Sequence, residues 1–441
     1  MDLAWPRIVT GFAIMSKQTV DLAFVGVAVG SDAVAGLAFA YAYWMLAKFL
    51  AIGLAGGTVS LVSQNYGGDA TDRAATIVAQ SAWVALVLVA PLVVAFLFFA
   101  DPLVALFDGG PIPTEAGATY LTFVAPGLVF EFLNLIASRT YAGVGDTYTP
   151  MVARAGGGVL NILISGVLVV AGLGVVGVAL GTAISTGVVL LVLAWGMTGR
   201  AYGRLGMQPS PVAVTDATDV LDRQLAGQLA RVSAPLMARR VLEGAVVFPL
   251  LWIAATFGPV VVGAFEVGRR IRGLINSVSW GFSIASSTLV GQALGAGDET
   301  EAAAAGWAII RLSVVVYVAI AAVVVSVPTP LARLFVSEPA KVAQAALFIQ
   351  VGAVSAILLG IDGSATGALR GAGDTTWPFA ASVLGRYLFA LPLALVGYLT
   401  PLGVTGLYLA LVLEAVVPGL LNLWRFRSDR WRALSRAYRP S

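Results

Sequence analysis

GVGDTYTP at residues 143–150 returns as GAGDTTWP at residues 371–378, and the spacing of the two stretches decides how the whole chain is read. Taking 143 from 371 gives an offset of 228, and the same offset carries SLVSQ at 60–64 onto TLVGQ at 288–292. GVVG at 174–177 and GVTG at 403–406 keep it to within one residue, at 229. Matches in the same order at one offset mean that a long unit has been used twice. Within each GxGD stretch, Asp146 or Asp374 is followed by Thr and then Pro. Such residues suit a tight turn capped into a helix start, so these aspartates read as frame rather than chemistry.

What surrounds the repeat sets its solvent. Of 441 residues, 59% are hydrophobic and 11% charged, and mean hydropathy is +0.91, whereas an ordinary soluble chain is about 25% charged. The chain therefore reads as an integral membrane protein. It has no cysteine and no histidine, which removes disulfides, thiol nucleophiles and the commonest general base and metal ligand. No paired-carboxylate metal motif replaces them, so a membrane-embedded enzyme is disfavoured. A net charge of +3 is too small to argue for nucleic acid.

Apolar runs of bilayer-crossing length fall at 5–29, 32–62, 74–99, 116–137, 150–171 and 175–197, then at 233–257, 260–291, 305–327, 342–368, 378–399 and 404–424. The first is read as an uncleaved helix rather than a signal peptide. The expectation is an all-α polytopic fold of twelve transmembrane helices. Its parts are a six-helix lobe over 1–197, a polar cytoplasmic linker over 198–232, a second six-helix lobe over 233–424, and a basic cytoplasmic tail over 425–441. Arg73, Arg139, Arg200, Arg204, Arg223, Arg231, Arg370 and the tail arginines fall on one side of that plan, against chiefly Arg333 and Lys341 on the other. By the positive-inside rule both termini are cytoplasmic. Six spans per half make the repeats parallel, as in many secondary transporters, whose substrate site lies between halves.

A charge at the middle of a span costs roughly 2.5–3.5 kcal/mol on insertion scales, so each must face a cavity or a partner. Lys17 and Asp21 are four residues apart in span one and can pair; the pair is either structural or a switch set by the carboxylate's protonation. Glu131 and Asn134 lie in span four. The offset puts Glu131 on Leu359 and Asn134 on Asp362, so each half carries one carboxylate here, displaced by about a turn or ~4.5 Å of rise. Glu243 and Asp362 are read as facing a cavity or else as structural hydrogen-bond acceptors. In span eight Glu266 can pair with Arg269 or Arg270, which neutralises one cation and leaves the others of Arg269, Arg270 and Arg272 needing partners or water. Arg154, Arg239, Arg240 and Arg386 are expected to snorkel toward membrane ends, and Glu414 has no evident partner. Fifty glycines and prolines within spans suit close, sliding helices.

TVDLAFVG (19–26), GTVSLVSQNYGGD (57–69), SSTLVGQALGAGD (286–298), ALRGAGDTTWP (368–378) and the first-half GVGDTYTP together resemble the multidrug and toxic compound extrusion (MATE) transporters, within the superfamily that also holds polysaccharide and lipid flippases. The resemblance implies two six-helix bundles forming a V, alternating access, and export of cationic or amphipathic drugs in exchange for Na⁺ or H⁺ across the inner membrane. A lipid-linked oligosaccharide flippase is the alternative, kept open by Arg269, Arg270 and Arg272. Membrane lipid is the other expected partner, and the carrier is expected to be a monomer with no cofactor beyond its coupling ion. Asp21 matches the family's acidic residue of the first helix, Asn161 a polar residue near it, and Glu243 the span-seven glutamate. Ser165 stands where many members have aspartate, and Asp362 stands one turn beyond the usual span-ten aspartate. The expected ion-coupling or substrate set is thus Asp21, Lys17, Glu131, Asn161, Glu243, Glu266, Arg270 and Asp362, with Asp21, Glu243 and Asp362 as the carboxylates able to take Na⁺.

Overall fold

The computed structural model describes residues 5–107, 110–203, 206–216, 222–334 and 339–438. Among these residues the regular structure is helical, with no strand. A chain this apolar can satisfy its backbone polar groups in lipid only internally, which helices do. Contacts divide it into two compact units, Met1–Met237 and Ala238–Ser441. The first contains α1 (Trp5–Ala28), α2 (Ser31–Gly67), α3 (Thr71–Phe98), the short α4 (Ala100–Ala105), α5 (Pro111–Gly143), α6 (Tyr148–Leu168) and α7 (Gly174–Met197). The division falls inside α8 (Arg223–Ala245), which begins within the stretch expected to be linker. The second unit continues with α9 (Val247–Thr256), α10 (Pro259–Gly295), α11 (Glu299–Ser326), the short α12 (Pro328–Arg333), α13 (Pro339–Gly371), α14 (Thr376–Val383), α15 (Leu391–Leu399), α16 (Thr405–Arg427) and α17 (Arg430–Ser435).

Among the described residues, eight helical stretches are long and apolar enough to cross a membrane. One of them, Tyr148–Met197, is two spans, because the chain folds back at Gly172 with φ 88°. The remaining expected spans, α1, α8–α9 and α10, are helical in place; their cost in lipid is the charged residues they carry, which must find partners inside the protein. Span seven differs from expectation in being broken: α8 stops at Ala245 and α9 starts at Val247. Pro249 explains the break, since its ring clashes with the carbonyl four residues earlier, that of Ala245. Between α14 and α15 the helix widens into a π-type turn over Leu384–Ala390, just before Pro392, the kind of irregularity that a proline promotes and that recurs at functional sites.

The repeat is visible in the backbone. Helices α2 and α10 each have 37 residues, and α5 and α13 each have 33. The two GxGD turns close identically: Asp146 N–H donates to Tyr141 O (2.9 Å) and Asp374 N–H to Leu369 O (2.8 Å). Gly145 (φ 94°) and Gly373 (φ 81°) supply the left-handed residue that this helix ending needs. The expected cap holds at Asp146, whose Oδ1 accepts from Thr149 N–H at 2.9 Å. Asp374 also receives Arg425 Nε at 2.7 Å, which ties the α13–α14 turn to the end of α16. Beyond it, Trp431 is buried and stacks on Phe426 with ring centres 5.1 Å apart, so α17 of the basic tail is packed against its own unit.

Helices α10 and α13 pack through a ladder in which Gly363, Gly367 and Gly371 lie against Ser279, Ser283 and Ser287, one helical turn apart on each side. Absent side chains let the backbones approach, which replaces the hydrophobic drive that lipid does not supply. A Cβ on Gly367 would meet the Cα and carbonyl carbon of Ser283 at 2.9 Å, and backbone cannot swing aside. Gly367→Leu is therefore expected to lower the thermal midpoint of the detergent-solubilised protein, by an overpacking cost of about 1–3 kcal/mol. Differential scanning fluorimetry checks it, with Gly263→Ala, which meets nothing within 4 Å, as the comparison.

Candidate functional site

In the first unit the sequence brings polar groups from five helices onto Asp21. The carboxylate is fully buried, and neither of its oxygens has a hydrogen bond of good geometry, although the Tyr41 and Ser165 hydroxyls and Lys17 lie close enough to interact with it. Lys17, one turn earlier on α1, places Nζ 3.8 Å from Asp21 Oδ2, a loose pair, because that ammonium donates instead to Thr182 Oγ1 of α7 at 3.0 Å. Asn161 of α6 donates to the same Thr182 hydroxyl at 3.2 Å. Tyr41 of α2, Tyr120 of α5 and Ser165 of α6 face the carboxylate as well. The Tyr41 hydroxyl, Asn161 Oδ1 and Ser165 Oγ are buried without hydrogen-bond partners. Asp21, Lys17 and Asn161, singled out from the sequence, lie together here. Thr182, the acceptor that joins two of them, was not singled out, since a threonine in an apolar helix carries no periodic or charge signal.

Next to this pocket Glu131 of α5 takes two cations. Arg154 Nη2 of α6 approaches its carboxylate oxygens at 2.8 and 3.1 Å, and Lys48 Nζ of α2 lies 2.7 Å from Oε1. Arg154 does not snorkel as expected; it is buried, because a carboxylate at the same depth holds it more firmly than a membrane end could. Lys48, a cation near the middle of span two, is not among the residues expected from sequence, although the cost of a mid-span charge is itself the signal. Lys17, Lys48, Glu131 and Arg154, together with Trp44, Thr182 and Val189, line a partly open cavity within the first unit.

The second unit carries a chain of alternating charges. Asp362 of α13 accepts from Arg239 Nη2 of α8 at 2.8 Å, and from Asn422 of α16 at 2.6 Å. Arg239 Nε donates to Glu243 Oε1, and Arg240 Nη1 to Glu243 Oε2, both at 2.8 Å. Arg386 sits in the wide turn and hydrogen-bonds Ser382. It reaches Glu243 at 3.5 Å and Glu414 of α16 at 3.3 Å. Arg272 of α10 closes the chain on Glu414 at 2.8 Å. Arg239 and Arg386 are buried partners here instead of snorkelling, and Glu414, without an evident partner in sequence, has two. The offset aligns none of these arginines with a charge in the first half, so periodicity gave no warning.

The expected residues thus fall into three groups. Asp21, Lys17 and Asn161 share one pocket, with Glu131 in the adjoining cavity. Glu243 and Asp362 are joined through Arg239 in the second unit, and their oxygens receive guanidinium and amide donors. Glu266 and Arg270 are exposed on α10 and lie apart from both sites; Glu266 pairs with Arg269 at 3.2 Å, while Arg272 goes to Glu414. Among the described residues no three acidic side chains gather as a divalent-metal site would require.

Two repeated helical units with buried charge clusters inside apolar spans define a multi-pass membrane transporter. The MatE family profile matches residues 6–167 and again 235–396, one match in each half of the repeat. The chain belongs to the MatE (MATE) family. It is 28% identical over 438 residues to a probable multidrug resistance protein NorM of Rhodopseudomonas palustris, covering 96% of this chain and 90% of that one. It is 24% identical to human multidrug and toxin extrusion protein 1, over 86% of this chain and 65% of that one. Among solved structures, its fold matches a superfamily transporter from Pyrococcus furiosus, described as having a binding pocket of reversed polarity that suggests a different function. That match has a TM-score of 0.88 at 21% identity over 98% and 95% of the two chains. A MATE family transporter in an outward-facing conformation matches at 0.87 and 20%, over 99% and 96%.

Breaking a buried ion pair strands a charge and costs about 3–5 kcal/mol. Arg239→Met, which leaves Asp362 without its guanidinium, is expected to destabilise the protein by that order. Arg240→Met, whose partner keeps Arg239 and Arg386 and whose side chain is 30% exposed, should cost far less. Denaturant or thermal unfolding of the two purified variants separates them.

Proposed function

We propose that the protein is a secondary active multidrug exporter of the inner membrane. On this reading it moves amphipathic compounds outward by alternating access in exchange for H⁺ or Na⁺ taken up at Asp21, with both termini cytoplasmic. The observation that carries the proposal is the state of that carboxylate: fully buried, with neither oxygen in a well-formed hydrogen bond. A carboxylate out of water and without well-formed hydrogen bonds is costly, and a proton or a cation relieves the cost. Asn161 Oδ1, Ser165 Oγ and the Tyr41 hydroxyl add unpartnered oxygens from two other helices, a donor set that suits a small hard cation as well as a shared proton. The loose Lys17 contact lets either compete.

Coupling then follows from differential affinity. Occupied Asp21 no longer attracts Lys17, which is left with Thr182 alone, and the contacts of α1 with α6 and α7 change. A conformation that binds the ion better is favoured by its gradient, and the opposite conformation releases it. The relatives named for multidrug resistance and toxin extrusion support export of small amphipathic molecules. The cations lining the first-unit cavity favour a second reading, a flippase of phosphate-bearing lipid-linked sugars, more than Arg269, Arg270 and Arg272 do, since those three have separate surroundings.

In proteoliposomes, an imposed pH or Na⁺ gradient is expected to drive efflux of an amphipathic dye. Asp21→Asn should abolish the gradient dependence of that efflux while leaving the purified protein folded. Gradient-driven efflux that survives Asp21→Asn would refute the coupling role, and imposing the two gradients separately identifies the ion.

A further inference from the structure

The cavity beside Asp21 has a charge balance that the export reading does not use. Lys17, Lys48 and Arg154 stand in its wall against a single carboxylate, Glu131. Glu131 already receives both Arg154 and Lys48, so one negative charge answers two positive ones at the same point. Arg154 is buried, and it spends only Nη2 on Glu131. Its Nε and Nη1 have no hydrogen-bond partner. Two buried, unpaired donors on a permanently charged group are expensive, and a low-dielectric wall of net positive charge concentrates anions. Trp44 and Val189 add an apolar side to the same cavity.

We propose that this cavity binds the anionic head of an amphiphile, a carboxylate, sulfonate or phosphate, with Arg154, Lys48 and Lys17 holding the charge and Trp44 with Val189 covering the adjoining apolar part. Guanidinium is the side chain best matched to such planar or tetrahedral oxyanions. Glu131 keeps Arg154 and Lys48 together in the absence of ligand, and the incoming oxyanion takes the donors that Glu131 leaves. A lone organic cation is disfavoured at this place. That the site lies on the transport route rests on the exporter reading; the binding does not.

Equilibrium binding to the purified protein in neutral detergent tests it without transport. Carboxyfluorescein should bind saturably, and Arg154→Gln, Lys48→Gln and the partly exposed Lys17→Gln should each weaken it, by about tenfold for Arg154 as a charged hydrogen-bond partner is lost. Ethidium, the cationic probe, should change in the opposite direction. Phosphatidylglycerol is expected to displace carboxyfluorescein where inorganic phosphate at equal concentration does not, which assigns the site to a head with an apolar body; displacement by phosphate alone overturns that assignment. Saturable binding of ethidium only, or equal loss of both dyes in folded variants, overturns the site. Carboxyfluorescein binding with no gradient-driven movement of either dye in proteoliposomes would sink the exporter reading and leave the site. Ethidium export without carboxyfluorescein binding would do the reverse.

Discussion

An ionised side chain in a bilayer-length helix has no water to turn to, and that constraint arranges the inside of both units. In the second unit it is met completely enough to form a chain running Asp362, Arg239, Glu243, Arg386, Glu414, Arg272. Helices α8, α10, α13 and α16 and the wide turn each contribute to it. Such a chain fixes helix positions by charge as the glycine–serine ladder between α10 and α13 fixes them by shape. Neither device depends on hydrophobic burial, which drives little between helices already in lipid.

The first unit meets the same constraint less fully. Asp21 has a cation at 3.8 Å and no well-formed hydrogen bond, while Arg154 has a carboxylate and donors to spare. An under-neutralised carboxylate and an over-supplied cation cluster share Lys17 between them. Any ion or proton that changes Asp21 is therefore felt at the cavity wall, through one lysine that belongs to both.

Much of the fold was legible in the residues. Apolar runs located the spans, and the offset of 228 located the repeat, because both are statements about local composition and turn chemistry. Gly145 and Gly373 announce themselves, since few other residues adopt φ near 90°. The site was legible only by charge: Asp21, Lys17, Glu131, Glu243 and Asp362 were costly enough to be noticed singly. Which charge meets which was not legible, because Arg386 with Glu414 and Arg154 with Glu131 are partners across helices, where neither sequence spacing nor helical periodicity speaks. Snorkelling was the local answer for these arginines; the tertiary one prevailed because a carboxylate at the same depth was available.

The widened turn at Leu384–Ala390 has a further consequence for the two halves. A turn closed by i→i+5 bonds holds about one residue more than an α-helical turn. The offset between halves is 228 at the GxGD turns and 229 at Gly174 and Gly403, and this turn is a place where the second half can absorb one inserted residue without displacing the helix beyond it. An insertion rotates its neighbours by about 100° around a regular helix axis. Arg386 lies inside the widened stretch, pointing where it touches both Glu243 and Glu414. At the aligned places in the first half stand Gly157 and Gly158, so one half of a duplicated protein has an ionic junction that its twin lacks.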